Sequence, residues 1–331
     1  MQGFAMTCGQ VSTCDVAASV VIACYNCEEF IVEAVHSAIC QTGARVEVVI
    51  VNDGSTDSSA KLLEQFADRA TVIHQANLGV SAARNRGARE AKGPWLKFLD
   101  ADDYLLPGSI AGQLGFCADL GCRTFPVGRS LRLSSTTGIL RHHAQHDLAE
   151  TRIVELGDLL FDCPLVSAPL YPRDALLDIG GFDVSLRYRE DCDLFVRMVL
   201  SGWTPRLVAT PSFVYRDHSA AGRVSKTAGD TAAMSQRRMF VRWAELLKGS
   251  CRKSHQGIRM GLARAAWVAA RNIRRSGDIE VSSALFELAR DFHADIVPVG
   301  SLIYRLCVAA FGEHKAESLL GHVKNGVLGS R

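Results

Sequence analysis

Short apolar runs alternate with amphipathic stretches over the first hundred residues. Ser19–Ala23 (SVVIA) is a β-branched run that gives way to a polar turn, Cys24–Cys27. From Glu28 to Cys40 the apolar positions Phe30, Ile31, Ala34, Val35, Ala38 and Ile39 recur at helical spacing. Val46–Val51 is a second continuous apolar run, and it ends at Asn52-Asp53-Gly54, a strong turn signal. Ser55–Ala67 then reads as a helix, Ala70–His74 as a third strand, Ser81–Ala91 as a helix and Trp95–Leu99 as a fourth strand. Continuously apolar strands that alternate with helices predict a parallel sheet covered on both faces.

Beyond Cys117 the pattern is less regular as far as Val166, and the polar stretch Ser134–Glu150 contains His142, His143 and His146. Order returns at Leu170–Asp178 and at Gly180-Gly181-Phe182. A helix follows from about Asp191 to Leu200, with Gly202 placed to end it. In the tail, Ile258, Leu262, Ala265, Ala269 and Ile273 repeat every three or four residues. After the turn Ser276-Gly277-Asp278, the positions Val281, Leu285, Leu288 and Ala289 continue on a second helix. The tail thus reads as a helix pair packed on the main domain.

Ligands of parallel sheets sit beyond the carboxyl ends of the strands. Here those ends are Tyr25-Asn26, Asn52-Asp53-Gly54, Gln75-Ala76-Asn77 and Asp100-Ala101-Asp102-Asp103. All four are polar and two carry carboxylates. Side-chain direction alternates with period two, so Asp100 and Asp102 point the same way. Carboxylates held close repel each other, and a cation relieves the repulsion. Oxygen ligands suit Mg²⁺ or Mn²⁺, which leave positions for diphosphate oxygens. Taken singly, each feature has a plain structural explanation. An Asp-x-Asp triplet is also a solvated turn or a helix cap, Asn-Asp-Gly and Tyr25-Asn26 are turns, and Arg84 is a surface arginine.

The composition changes this picture little. The 331 residues are 48% hydrophobic and 22% charged, enough for a sizeable core and without a disorder signature. Charge is more informative, because the net +2 hides a split. Between Lys226 and Arg275 stand 12 Lys or Arg against Asp230 and Glu245, which leaves 25 basic and 33 acidic residues elsewhere. The basic tail has three readings: solvated helix faces, attraction to an anionic membrane surface or lipid-diphosphate acceptor, and nucleic acid. The last is set aside, since no reading motif and no aromatic interleaving accompany the charge.

Eleven cysteines without a framework argue against a secreted disulfide scaffold. Met1–Ala18 lacks the pattern of a signal peptide. The longest apolar candidate, Ile296–Phe311, is broken by Pro298 and Arg305, short of the roughly 18 residues of a span. The expectation is a cytoplasmic protein, with peripheral contact at the inner face of the membrane left open. Cys24 and Cys27 have the spacing of a redox or zinc half-site, but a second pair is missing. The three histidines read as part of a polar loop. The absence of Gly-x-Gly-x-x-Gly and of a P-loop weakens dehydrogenase and ATPase readings.

Together the strand ends resemble the family-2 glycosyltransferases of the GT-A fold. SVVIACYNCEEF is similar to that family's first strand and Tyr-Asn turn, and VVIVNDGSTDSS to its second strand with an Asp-Gly-Ser-x-Asp signature. NLGVSAARNRGAREAKGPWLKFLDADD matches the run from the third strand to the Asp-x-Asp motif. GGFDVSLRYREDCDLFVRMVLSGW resembles the acceptor-side Gly-Gly-Phe-Asp and Glu-Asp-x-Asp-Leu segment. The likeness covers roughly Ala18–Ser225.

The resemblance implies an α/β fold of GT-A type: a Rossmann-like, mostly parallel central sheet with helices on both faces, plus a C-terminal helical extension. The boundaries expected are 1–15 for an N-terminal extension, 16–225 for the GT-A domain and 226–331 for the basic helical region. It also implies inverting transfer from a nucleotide-diphosphate sugar, UDP-linked, to a hydroxyl of a glycan or lipid-linked glycan, with Mn²⁺ or Mg²⁺ as cofactor. Asp53 would accept a uracil N–H with Tyr25 and Asn26 near the base, and Ala23 stands at the same strand end, where the family often has proline. Arg84 would approach the nucleotide or diphosphate, Asp100 the ribose, and Asp102 the metal with His218 of YRDHSAAGRVS. Gly181 and Glu190 belong to the acceptor side, and Asp191 matches the general base. At a helix N-terminus the macrodipole favours its ionised form. Cys192, beside it, replaces the bulky residue of many relatives and bears on acceptor choice. The rivals are a non-catalytic relative that binds a nucleotide-sugar or a partner, and a nucleotidyltransferase. The latter would want a Gly-rich basic loop where Ala23–Cys27 stands.

Overall fold

The computed structural model describes residues 16–118, 123–134, 137–142, 155–218, 230–253, 255–300, 304–310, 312–313 and 315–317. The expected N-terminal extension, His143 and His146, and the segment after His218 lie outside the described residues.

Four parallel strands form the heart of the first sheet: β1 (Ala18–Cys24), β2 (Val46–Asp53), β3 (Thr71–Gln75) and β4 (Trp95–Asp100). The order is β3-β2-β1-β4, with β8 (Tyr171–Pro172) added antiparallel beyond β4. Val20, Val21, Ile22, Val49, Ile50, Phe98 and Leu99 are buried, as strands covered on both faces require. The helices between these strands are α1 (Ile31–Ile39), α2 (Ser59–Leu63, continued by a 3₁₀ turn at Glu64–Phe66) and α3 (Val80–Glu90). The expected helix Ser55–Ala67 is therefore shorter than its pattern. Ser55 and Asp57 are drawn into hydrogen bonds of the turn before it, with the backbone N–H groups of Asn26 and Glu28.

A second sheet does not appear in the hydrophobic pattern. It has the order β5-β9-β6-β7, from β5 (Tyr104–Leu105), β6 (Thr124–Ser134), β7 (Leu140–His142) and β9 (Thr204–Asp217). The 14-residue β9 carries Pro205 and Pro211 and lacks clean alternation. Its register with β6 shifts around Arg129, which pairs with Pro211. This sheet matters for the site because β5 follows the Asp100–Asp103 turn directly and pairs with β9, whose end leads to His218.

Further helices are α4 (Ser109–Ala118), α5 (Leu156–Phe161), α6 (Arg173–Asp178), α7 (Glu190–Leu200), α8 (Asp230–Gly249), α9 (Gln256–Arg275) and α10 (Ile279–Phe292). The expected helix pair of the tail is α9 and α10, and Trp267 packs edge-on against Phe286 between them. Among the described residues, one hydrophobic core runs from β1 through α7 to Phe240, Trp243, Leu262 and Phe286. Several of the tail's arginines pair with the protein's own carboxylates. Arg242 pairs with Asp183 at 2.8 Å and Arg264 with Asp158 at 3.0 Å, while Arg271 pairs with Glu317. Part of the basic–acidic split is thus an internal interface. No helix among the described residues is long and apolar enough to cross a membrane.

Candidate active site

The ends of β1 and β2 are laced together. Asn26 adopts a left-handed φ of 51°. Its Oδ1 accepts the N–H of Thr56 at 2.8 Å, and its own N–H donates to Ser55 Oγ at 3.1 Å. Tyr25 is left exposed, and Ala23 lies between Val51 and Asp100 in the sheet. Asp53 is buried, and its carboxylate accepts from Gln75 Nε2 (2.8 Å), Leu78 N (2.9 Å) and Gly79 N (2.8 Å). Three of about four acceptor positions on this carboxylate are filled, one from the end of β3 and two from the loop before α3. Gly54, at φ 74°, brings the turn so near Asn77 that a Cβ would lie 2.7 Å from its N.

At the end of β4, the carboxylates of Asp100, Asp102 and Asp103 have oxygens within 4.8 Å of one another. Ala101 between them is buried, and it and Asp102 already lie in the turn after β4, so the turn and not strand alternation sets how the two carboxylates face. His218 Nε2 lies 2.9 Å from Asp102 Oδ2, which brings the two expected metal residues into contact across a separation of 116 residues. The His218 ring packs at 4.6 Å on Phe30. A cluster of carboxylate oxygens this close fits a divalent cation, and the His218 imidazole stands at hydrogen-bond distance from Asp102 in it. Asp103 is oriented differently, since its carboxylate accepts the N–H of Arg216 at 3.0 Å.

Arg84 is nearly buried. It donates to Asp100 at 2.7 Å and to Glu190 at 2.8 Å, with Phe182 under its guanidinium at 5.2 Å. One side chain of α3 therefore bridges the Asp-x-Asp strand end and the first residue of α7. Burial lifts Asp100 above the ordinary carboxylate range against the pull of Arg84. Asp191 is the second residue of α7, and its Oδ1 accepts the N–H of Cys192 at 2.7 Å. The cap position belongs to Arg189, at a left-handed φ of 60°. Burial, then Glu190, push the Asp191 carboxyl up to about 6, against the pull of Arg84. The helix N-terminus was expected to favour the charged form, and desolvation outweighs it. Gly181 sits against Asn85, where a Cβ would lie 2.3 Å from its Oδ1.

Residues 19–169 match the family model described as glycosyl transferase family 2. They are a family-2 glycosyltransferase domain. Among curated proteins, the chain is 43% identical over 90 residues to the uncharacterized glycosyltransferase EpsJ of Bacillus subtilis, which is 26% of each chain. It is 27% identical over 240 residues to the uncharacterized glycosyltransferase RT0329 of Rickettsia typhi, covering 70% of this chain and 71% of that one. The match to EpsJ thus spans about a quarter of that relative. Among solved structures, S. aureus TarS 1-349 superposes with a TM-score of 0.68 at 16% identity, over 94% of this chain and 92% of that chain. TarS 1-349 in complex with UDP-GlcNAc superposes with a TM-score of 0.67 at 15% identity, over the same shares of the two chains. These likenesses establish the GT-A fold, including the C-terminal helices.

Within and behind the family-2 domain stand residues that pattern reading passed over. The Asn85 amide donates to Phe182 O and accepts from Phe182 N, both at 2.8 Å, and so fastens α3 to the Gly-Gly-Phe-Asp segment. Asp193 is fully buried, pairs with Arg197 at 2.7 Å and accepts the Trp243 indole N–H at 2.9 Å. Arg197 in turn donates to the carbonyls of Ile179 and Gly181. Lys97 is fully buried in β4 and donates to Gln113 Oε1 at 2.7 Å and Ala168 O at 3.1 Å. Burial pulls its ammonium down to about 7. A buried carboxylate inside the Glu-Asp-x-Asp-Leu run was the available signal for Asp193. Asn85 and Lys97 carried none, because their partners are backbone atoms or a side chain reached only through the fold.

Proposed function

We propose that the protein is an inverting glycosyltransferase that uses a UDP-sugar and a divalent cation, with Asp191 as general base. The acceptor would be a hydroxyl of a glycan or lipid-linked glycan. The observation that carries this reading is the Asp100–Arg84–Glu190 bridge, which ties the donor end of β4 to the residue beside the proposed base. Binding of UDP-GlcNAc by TarS, a protein of the same fold, supports a UDP-linked donor.

Asp53, Tyr25 and Asn26 would seat the base, and Asp100 the ribose. Asp102 and His218 would hold the cation, which when bound supplies positive charge to the departing diphosphate. The acceptor oxygen attacks the anomeric carbon while the Asp191 carboxylate takes its proton. The bond to the diphosphate breaks with its electron pair on the leaving oxygen, and the single displacement inverts the configuration. Arg84 holds Asp100 and Glu190 in register during this step. Peripheral membrane contact through the outward cations of the tail is part of the same proposal.

The test is a screen of UDP-sugars with Mn²⁺, comparing wild type with two variants. Asp102→Ala is expected to lose metal-dependent donor binding. Asp191→Ala is expected to keep donor binding and lose transfer by about 100-fold or more. Full transfer by Asp191→Ala would remove the mechanism.

A further inference from the structure

Cys192 follows the proposed base directly, and its backbone N–H is the donor to Asp191 Oδ1 at 2.7 Å. Its sulfur is joined in a disulfide to Cys163, 29 residues earlier, with the Cα atoms 5.4 Å apart, a separation that suits a disulfide. Cys163 lies just after α5 and is partly exposed, whereas Cys192 is buried. Arg189, in its left-handed conformation, places Nη2 at 3.4 Å from the Cys192 sulfur. The segment that begins at Cys163 also reaches the other half of the site. Ser167 Oγ accepts the N–H of Asp100 at 3.3 Å, and Ala168 O holds Lys97 and Gln113. The linkage therefore ties the first turn of α7 to the segment that braces the Asp-x-Asp strand end.

We propose that Cys163 and Cys192 form a reversible thiol–disulfide exchange site whose oxidised state holds Asp191 in its working position. The co-reactant is a small-molecule disulfide of the glutathione class. The partly exposed Cys163 sulfur attacks it, forming a mixed disulfide and expelling one small thiol. Cys192 then attacks the Cys163 sulfur and expels the second. The two cysteines lose two electrons and two protons, and the small disulfide becomes two thiols. Arg189 Nη2, 3.4 Å from the Cys192 sulfur, stands beside the group that makes the second attack. Reduction frees the first turn of α7 from the 163–168 segment and leaves Asp191 held by its own helix alone. The inference rests on Asp191 acting as the base.

Wild type, Cys163→Ser and Cys192→Ser are equilibrated at defined ratios of reduced to oxidised glutathione. Free thiols are alkylated, linked peptides are mapped by mass, and UDP release from UDP-N-acetylglucosamine with Mn²⁺ is measured at each ratio. In wild type the Cys163–Cys192 peptide should appear as the oxidised fraction rises. In step with it kcat should rise about tenfold at nearly constant donor KM, inside the roughly 100-fold that a 1 Å misplacement can cost. Both serine variants should stay at the reduced rate at every ratio. Free alkylation of both cysteines throughout would overturn the proposal. So would linkage without a change in kcat, or a response that persists in Cys163→Ser, which would assign it to another pair such as Cys24 and Cys27. Asp191→Asn separates the two readings. It should lose turnover yet still form the linkage, and turnover retained there sinks the base assignment while the peptide map still reads the exchange.

Discussion

Asp191 sits under opposed influences: burial and the neighbouring Glu190 raise its affinity for a proton, and Arg84 lowers it. With the carboxyl at about 6, the deprotonated form is in roughly tenfold excess at pH 7. Transfer should therefore fall tenfold per pH unit below an acid limb near 6. A limb that remains in Asp191→Asn, measured on its residual rate, would assign it elsewhere. The same shift has a stability consequence of opposite sense. Because the folded value lies above the unfolded one, the native state binds this proton more tightly. The resulting stability is complete at low pH and is lost as pH rises through 6. Asp191→Asn, which keeps an acceptor for the Cys192 N–H, should then raise Tm at pH 7 while lowering transfer about 100-fold or more. A lowered Tm would mean that the carboxylate stabilises the fold.

At the scale of elements, the site depends on helices meeting at close range. α9 crosses α5 where Gly261 faces Gly157, and a Cβ on Gly261 would lie 2.4 Å from Gly157 O and 2.8 Å from its Cα. Alanine is favoured over glycine inside a helix by about 1 kcal/mol. The obstacle is backbone and cannot rotate away, and such overpacking costs about 1–3 kcal/mol. Gly261→Ala should lower Tm despite the propensity gain. An unchanged or higher Tm would show that the helices part freely. Because α5 leads into Cys163, loosening this crossing should also lower the transfer rate.

For the molecule as a whole, the charge split has two components. Arg242, Arg264 and Arg271 are paired with the protein's own carboxylates. Arg238, Lys248 and Lys253 face outward. Each cation near an anionic surface contributes about 1 kcal/mol, screened within a Debye length. Three outward cations give weak, salt-released binding. Co-sedimentation with phosphatidylglycerol vesicles should be partial at low salt, lost at high salt, and reduced in the Arg238→Glu, Lys248→Glu double variant. Binding that ignores both salt and the variant would rule out this face.

The amino-acid order alone specified the four parallel strands and their polar carboxyl ends, because continuous apolar runs and turn residues are local signals. It also placed Asp53, Asp100, Asp102 and Asp191 at strand or helix ends, since those positions follow from counting along an element. It did not reveal the second sheet, because Pro205 and Pro211 break the alternation of β9 and its pairing with β6 is 80 residues away. Only the tertiary structure made Arg84 a bridge to Asp100 and Glu190, joined Cys163 to Cys192 and buried Asp193 under Trp243. Each of those contacts joins residues far apart in the chain. Local patterning carries no information about which distant groups meet, nor about the burial that sets the charge of a carboxylate.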